Sequence, residues 1–204
     1  MTKTISALYD TYDKAAAAVL ELEQAGVPAA DISLVSNNIE GRHRTDKEAE
    51  TAGDIAADGA GAGSLIGGGA GLLAGLGMIA IPGIGPVVAA GWLAATAVGA
   101  AAGAIAGAIG GGIVGAMTRA GVTEEDAHFY AEGVRRGGSL VSARVTDELA
   151  PLAQEILDGH DHVDINARRD VFRDNGWRQF DESGRALSEE EIARARQDPR
   201  MPML

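Results

Sequence analysis

Three polar residues have the spacing of a metal site. His160, His162 and Asp164 fall at i, i+2 and i+4. On a strand they would share one face, where two imidazoles and a carboxylate can bind a metal. They read equally well as a polar turn entering an edge strand, so no metal is assigned on spacing alone. Two glycine stretches, Gly69-Ala-Gly71-Leu-Leu-Ala74 and Gly75-Leu-Gly77-Met-Ile-Ala80, fit the G-x-G-x-x-A form of a dinucleotide loop. Neither follows a strand pattern, and neither has an acidic residue about 20 positions further on to hold a ribose. In so glycine-rich a region such matches arise by chance. No glycine loop ends in the Lys-Ser or Lys-Thr pair of a phosphate loop, and no cofactor is implied. His128 stands beside Phe129 and Tyr130 and reads as packing; no Ser-His-Asp set can be assembled from position. The chain has no cysteine, which removes disulfide and thiol chemistry and suits a cytoplasmic protein. The expectation is a protein that is not an enzyme.

The strongest signal is a stretch without charge. From Gly59 to Thr118 no charged side chain occurs. Gly59, Gly63, Gly67, Gly71 and Gly75 recur at every fourth residue, and so do Gly99, Gly103, Gly107, Gly111 and Gly115. A period of four puts small residues on one helical face, where two backbones can approach closely. Pro82, Gly83, Gly85 and Pro86 interrupt the run and predict a turn. The reading is a hydrophobic helical hairpin with a glycine zipper on each arm, over residues 59–118. An arm needs about 20 residues to cross a bilayer. The first, near Ser64 to Ile81, barely reaches that; the second, Val87 to Met117, exceeds it. Leu and Ile supply only about −0.3 to −0.6 kcal/mol each at mid-bilayer, and glycine dilutes them, so a lone arm inserts marginally. Packed against each other, or against other copies, the arms are better satisfied. Trp92 could mark a membrane interface or a core position.

Around this stretch the pattern is α+β. Thr4 to Tyr9 predicts a strand, Asp13 to Ala25 a helix capped by Asp10 or Thr11, and Asp31 to Ser36 a half-buried strand with Ile32 and Leu34 inward. Val19, Leu20 and Leu22 are the expected core contacts of that helix. Residues 37–58 read as a polar linker. Thr123 opens a helix that Gly137-Gly138 ends, with Glu124 and Glu125 at its start and Arg135 and Arg136 at its finish, as the helix dipole favours. Ser139 to Val145 predicts a strand, Asp147 to Leu157 a helix, and His162 to Ile165 a last short strand. This β-α-β, β-α-β order predicts a ferredoxin-like sheet, its halves at 1–36 and 119–166, with the hairpin inserted between strands two and three. Residues 167–204 form a helical C-terminal extension: Phe172, Trp177 and Phe180 are apolar anchors, and Ser188 with Glu191 is a full capping box.

The turn Ala80-Ile-Pro-Gly-Ile-Gly-Pro86, the glycine-rich arms and Gly121-Val-Thr-Glu-Glu-Asp-Ala-His-Phe-Tyr-Ala-Glu-Gly-Val-Arg-Arg-Gly-Gly138 resemble bacterial general stress proteins of the heat-induced, YflT-like kind. Val163-Asp-Ile-Asn-Ala-Arg-Arg169 with Gly176-Trp177 resembles a tail found in such proteins. The resemblance implies a stress-linked protein with no established catalytic activity and carries over no catalytic residue.

The formal net charge of −12 over 204 residues disfavours nucleic acid and anionic membrane surfaces as partners. The expected partners are further copies of the chain, in a homo-oligomer, and a lipid bilayer. The first ten residues lack a signal-peptide core, so insertion would run through the hairpin. Arg42, Arg44, Lys47, Arg119, Arg135 and Arg136 flank the hairpin as positive-inside placement requires. The expected site is the cytoplasmic face of the inner membrane, or the cytoplasm if an oligomer buries the hairpins as a scaffold or shell. A small-ligand sensor or enzyme using the sheet is the third reading.

Overall fold

The computed structural model describes residues 2–39, 72–96 and 112–197. The linker from residue 40, and Gly59, Gly63, Gly67, Gly71, Gly99, Gly103, Gly107 and Gly111, lie outside the described residues.

Five strands form one antiparallel sheet: β1 (Thr2–Tyr9), β2 (Ile32–Asn37), β3 (Gly77–Ile81), β4 (Gly85–Gly91) and β5 (Ser139–Thr146), in the order β1-β5-β2-β4-β3. The helices are α1 (Tyr12–Gln24), α2 (Gly112–Arg119), α3 (Glu124–Arg135), α4 (Ala150–Asp158), α5 (Ile165–Asp174) and α6 (Glu189–Gln197), and residues 92–96 are also helical. The fold is mixed α+β.

Thr11 caps α1, its side chain accepting from the Lys14 N–H at 3.4 Å. At the other end Val27 N–H reaches back to Leu22 C=O at 3.0 Å across Gly26, which satisfies an orphan carbonyl. Ala15, Ala18, Val19 and Leu22 form the buried stripe of α1. Full burial of such a Val or Leu contributes about 1.5–3 kcal/mol. Leu20 is 46% exposed rather than core, because it lies off that stripe. Together α1 and α4 pack on one face of the sheet, against Ile32, Leu34, Val141 and Ala143. On the opposite face α2, α3 and α5 bring Ile113, Met117, Phe129, Val134 and Phe172 to Leu8, Val35 and Leu140. Helices on both faces bury every residue of β2, which is therefore not half-buried as expected.

Two further expectations are corrected. The inner ends of both hairpin arms, predicted helical, are strands: β3 and β4 form a β-hairpin, with Met78 opposite Val88 and Ile79 opposite Val87. The reason is the pairing of β4 with β2, where Asn37 lies opposite Val87 and Leu34 opposite Ala90. Ile79, Ile81, Val87 and Val88 suit a pleated sheet, and tertiary pairing overrides a glycine period. The last predicted strand, His162 to Ile165, is not one. Asp164 accepts from the Asn166 and Ala167 N–H groups and caps α5, so the chain turns helical at Ile165. All that remains of strand pairing there is Val163 N–H to Leu8 C=O, at 2.8 Å.

Candidate functional site

The turn predicted at Pro82, Gly83, Gly85 and Pro86 is present, between strands rather than helices. Ile84 N–H bonds Ile81 C=O at 3.1 Å and closes it. Gly83 has φ 76° and Gly85 φ 100°, conformations that side-chain-bearing residues avoid. The space is also taken: a Cβ on Gly83 would lie 2.7 Å from the Asp181 carbonyl oxygen, and one on Gly85 2.9 Å from Ala186 Cβ. The C-terminal extension therefore crosses directly over the turn.

That extension is pinned by ion pairs and helix ends. Ser188 and Glu191 make the expected capping box, with Ser188 N–H to the Glu191 carboxylate at 2.8 Å and Glu191 N–H to Ser188 Oγ at 3.3 Å. Arg185 grips the same carboxylate with both terminal nitrogens, one at 2.6 Å. These bonds, Arg185 first and the Ser188 N–H next, pull the Glu191 carboxyl down to about 2. Arg196 donates to the Gly137 carbonyl at 2.9 Å, and Arg135 to the Arg185 carbonyl at 3.2 Å.

Beneath the extension lies Glu132, on α3 and only 1% exposed. Its oxygens take Arg136 Nε at 2.6 Å and an Arg135 terminal nitrogen at 3.4 Å. Arg136 also sits 4.1 Å above the Phe172 ring. From α5, Arg169 pairs with Glu125 at 3.1 Å and with Asp126, while Arg173 reaches Glu125 at 2.6 Å. Charge at this point binds the C-terminal extension to the domain. From sequence Arg135 and Arg136 are partners of the helix dipole and Glu132 does not stand out, although its i, i+4 spacing to Arg136 is the signal for it.

The histidines do not converge. His160 Nε2 lies 2.6 Å from a Glu21 oxygen on α1, His162 pairs with Asp158 at 3.7 Å, and Asp164 is occupied as a cap. No metal-holding group of three acidic or imidazole side chains occurs among the described residues. Burial drives the Tyr9 and Tyr130 phenols well above their usual range; each donates to a backbone carbonyl, of Leu157 and Ser6 respectively.

Of the proposed helix-packing glycines, Gly75 closes a short turn (Leu72–Gly75) before β3, and Gly115 is buried in α2. The remaining surface feature is β3. It forms the outer edge of the sheet, and its Met78 is 49% exposed. Among the described residues no helix is long and apolar enough to cross a membrane. No protein-family model matches the chain, and no curated protein or solved structure matches it.

Proposed function

We propose that the chain is a non-enzymatic protein of the bacterial general-stress kind, acting by self-association through its uncharged stretch. The supporting observation is the position of β3 and β4. They belong to that stretch, and β3, the outer strand of the hairpin they form, is the edge of the sheet with an apolar side chain half in solvent. An uncharged segment carried at the surface is a segment available to a partner. The split order β1-α1-β2 with β5 between the two parallel strands, followed by α4, supports reading a ferredoxin-like core that carries this segment. The glycine-zipper packing of the arms belongs to the same proposal, with homo-oligomers in the cytoplasm or on the cytoplasmic face of the inner membrane.

The test is ultracentrifugal fractionation of untagged protein without detergent, with carbonate-washed membranes and sizing of the supernatant. Large particles in the supernatant are expected for a soluble assembly, and retention in washed membranes for an inserted segment. A monomer that stays in the supernatant removes the proposal.

A further inference from the structure

β3 is paired on one side only among the described residues. The direction of its free groups follows from β4. Pro86 C=O accepts the Asn38 N–H at 3.0 Å, on the β2 side of β4. In an antiparallel ladder a residue's N–H and C=O point the same way, and alternate residues point oppositely. Pro86 thus faces away from β3, while Val87 and Ala89 bond Ile79 and Gly77. Ala80, opposite Pro86, turns its own N–H and C=O off the sheet, and Met78 does the same. Among the described residues these two form an open row of donors and acceptors.

Natural edges are blunted by lysine, proline, a bulge or a cover. Gly77-Met-Ile-Ala-Ile81 has no charge and no proline. The partner that fits such an edge is a second copy of this chain. Across a two-fold axis each residue near the axis meets its own image, so a charged patch on a chain of net charge −12 would repel itself. The uncharged edge does not. The register is also self-complementary. With the axis at Ile79, Met78 lies opposite Ala80 of the second copy and Gly77 opposite its Ile81, large against small on either side of the central Ile79 pair. Both outward residues then exchange both of their bonds, which is the hydrogen-bonded pair of an antiparallel ladder. An axis at Met78 or Ala80 leaves one of the two without a strand partner.

We infer that two copies join β3 to β3 in antiparallel, centred on Ile79, to make one continuous sheet. The inference rests on the reading of the uncharged stretch as the self-association element, and specifies how it acts. The test is sedimentation equilibrium of the full-length chain beside Ala80→Pro and Met78→Lys. Proline at position 80 removes an N–H that no described residue accepts, and lysine at position 78 replaces a side chain that stands half in solvent and whose one polar contact among the described residues is Asn38 Nδ2 at 3.7 Å from its sulfur. The wild-type mass should be an even multiple of the chain mass. Losing two symmetry-related backbone bonds should weaken the pairing roughly 10- to 100-fold, with unchanged far-ultraviolet dichroism. If Ala80→Pro does not fold, Met78→Lys decides. A wild-type monomer at high micromolar concentration overturns both the pairing and the self-association reading. An assembled wild type that both folded variants leave unchanged overturns the β3 pairing alone.

Discussion

At one edge of the sheet β1 is finished by contacts from elsewhere in the chain: Leu8 C=O accepts the Val163 N–H, Ser6 C=O accepts the Tyr130 hydroxyl, and Lys3 pairs with Asp147 at 3.1 Å. At the other edge β3 carries neither charge nor proline, and among the described residues its backbone pairs with β4 alone. Both edges belong to one sheet under the same solvent. Their difference shows that protection of an edge comes from the chain that happens to return to it. The segment after α4 returns to β1 and covers it. The C-terminal extension returns to the turn of the β3–β4 hairpin, at Gly83 and Gly85, and among the described residues none pairs with the outer side of the strand.

The most damaging way to break this comparison is at the joint that holds the open edge to the sheet. Gly91 ends β4 with φ 84°, and a Cβ there would lie 2.0 Å from the Ile32 carbonyl oxygen. Gly91→Ala should therefore separate β4 from β2 and cost about 4 kcal/mol or more. Urea unfolding measures it; a loss below 1 kcal/mol would mean that β4 sits against β2 less closely than described.

Next comes Glu132→Ala, which strips the buried partner from Arg135 and Arg136. Removing one member of a buried pair typically costs about 3–5 kcal/mol, because the charge left behind has no compensation. Arg135 also holds the Arg185 carbonyl, so the variant should loosen the strap over the hairpin turn as well as the domain. Hydrogen exchange in α6 separates these effects: protection should fall there more than in β5. At the guarded edge Val163→Pro is milder. It deletes the N–H that covers Leu8 and should cost roughly 1–2 kcal/mol. It should also increase concentration-dependent aggregation, since an uncovered edge pairs with others.

These residues also mark what the sequence reveals. Thr123 and Ser188 mark helix starts, and Thr11 is one of two candidates beside Asp10, because capping is a local arrangement within four residues. β1, β2 and β5 were visible through alternation and apolar runs. The β3–β4 hairpin was hidden, because a glycine every four residues is a local pattern while strand pairing with β2 is a distant one. The turn at Pro82 to Pro86 survived either reading, since proline and positive-φ glycine stop a helix and turn a hairpin equally well. His160, His162 and Asp164 shared a face only on a strand. Once Asp164 became a helix cap, their sidedness was lost. The open edge of β3 has no signature of its own; it exists only once the neighbours of β3 are known.

The smallest effect concerns the strap alone. In the folded chain Arg185 and the Ser188 N–H stabilise the ionised Glu191, lowering its carboxyl to about 2, whereas an unfolded glutamate titrates near 4.3. A carboxyl depressed in the folded state contributes stability above its unfolded value, and that contribution is lost as the pH falls through the folded one. Docking of α6 should therefore weaken between about pH 4.3 and about pH 2, although the exposed Arg185 side chain keeps the effect modest because solvent and salt screen the pair. Limited proteolysis with pepsin across this window should release the C-terminal segment progressively while β1 to β5 stay intact. Glu191→Gln should flatten that dependence, leaving the segment equally loose at every pH. If the variant instead kept the wild-type profile, the strap would be held by Ile192 and Arg196 against Gly137 rather than by the capping carboxylate. The remaining acid sensitivity of the cover over the hairpin turn would then lie with Asp181, whose carboxyl the Ser183 hydroxyl and N–H hold below its usual range.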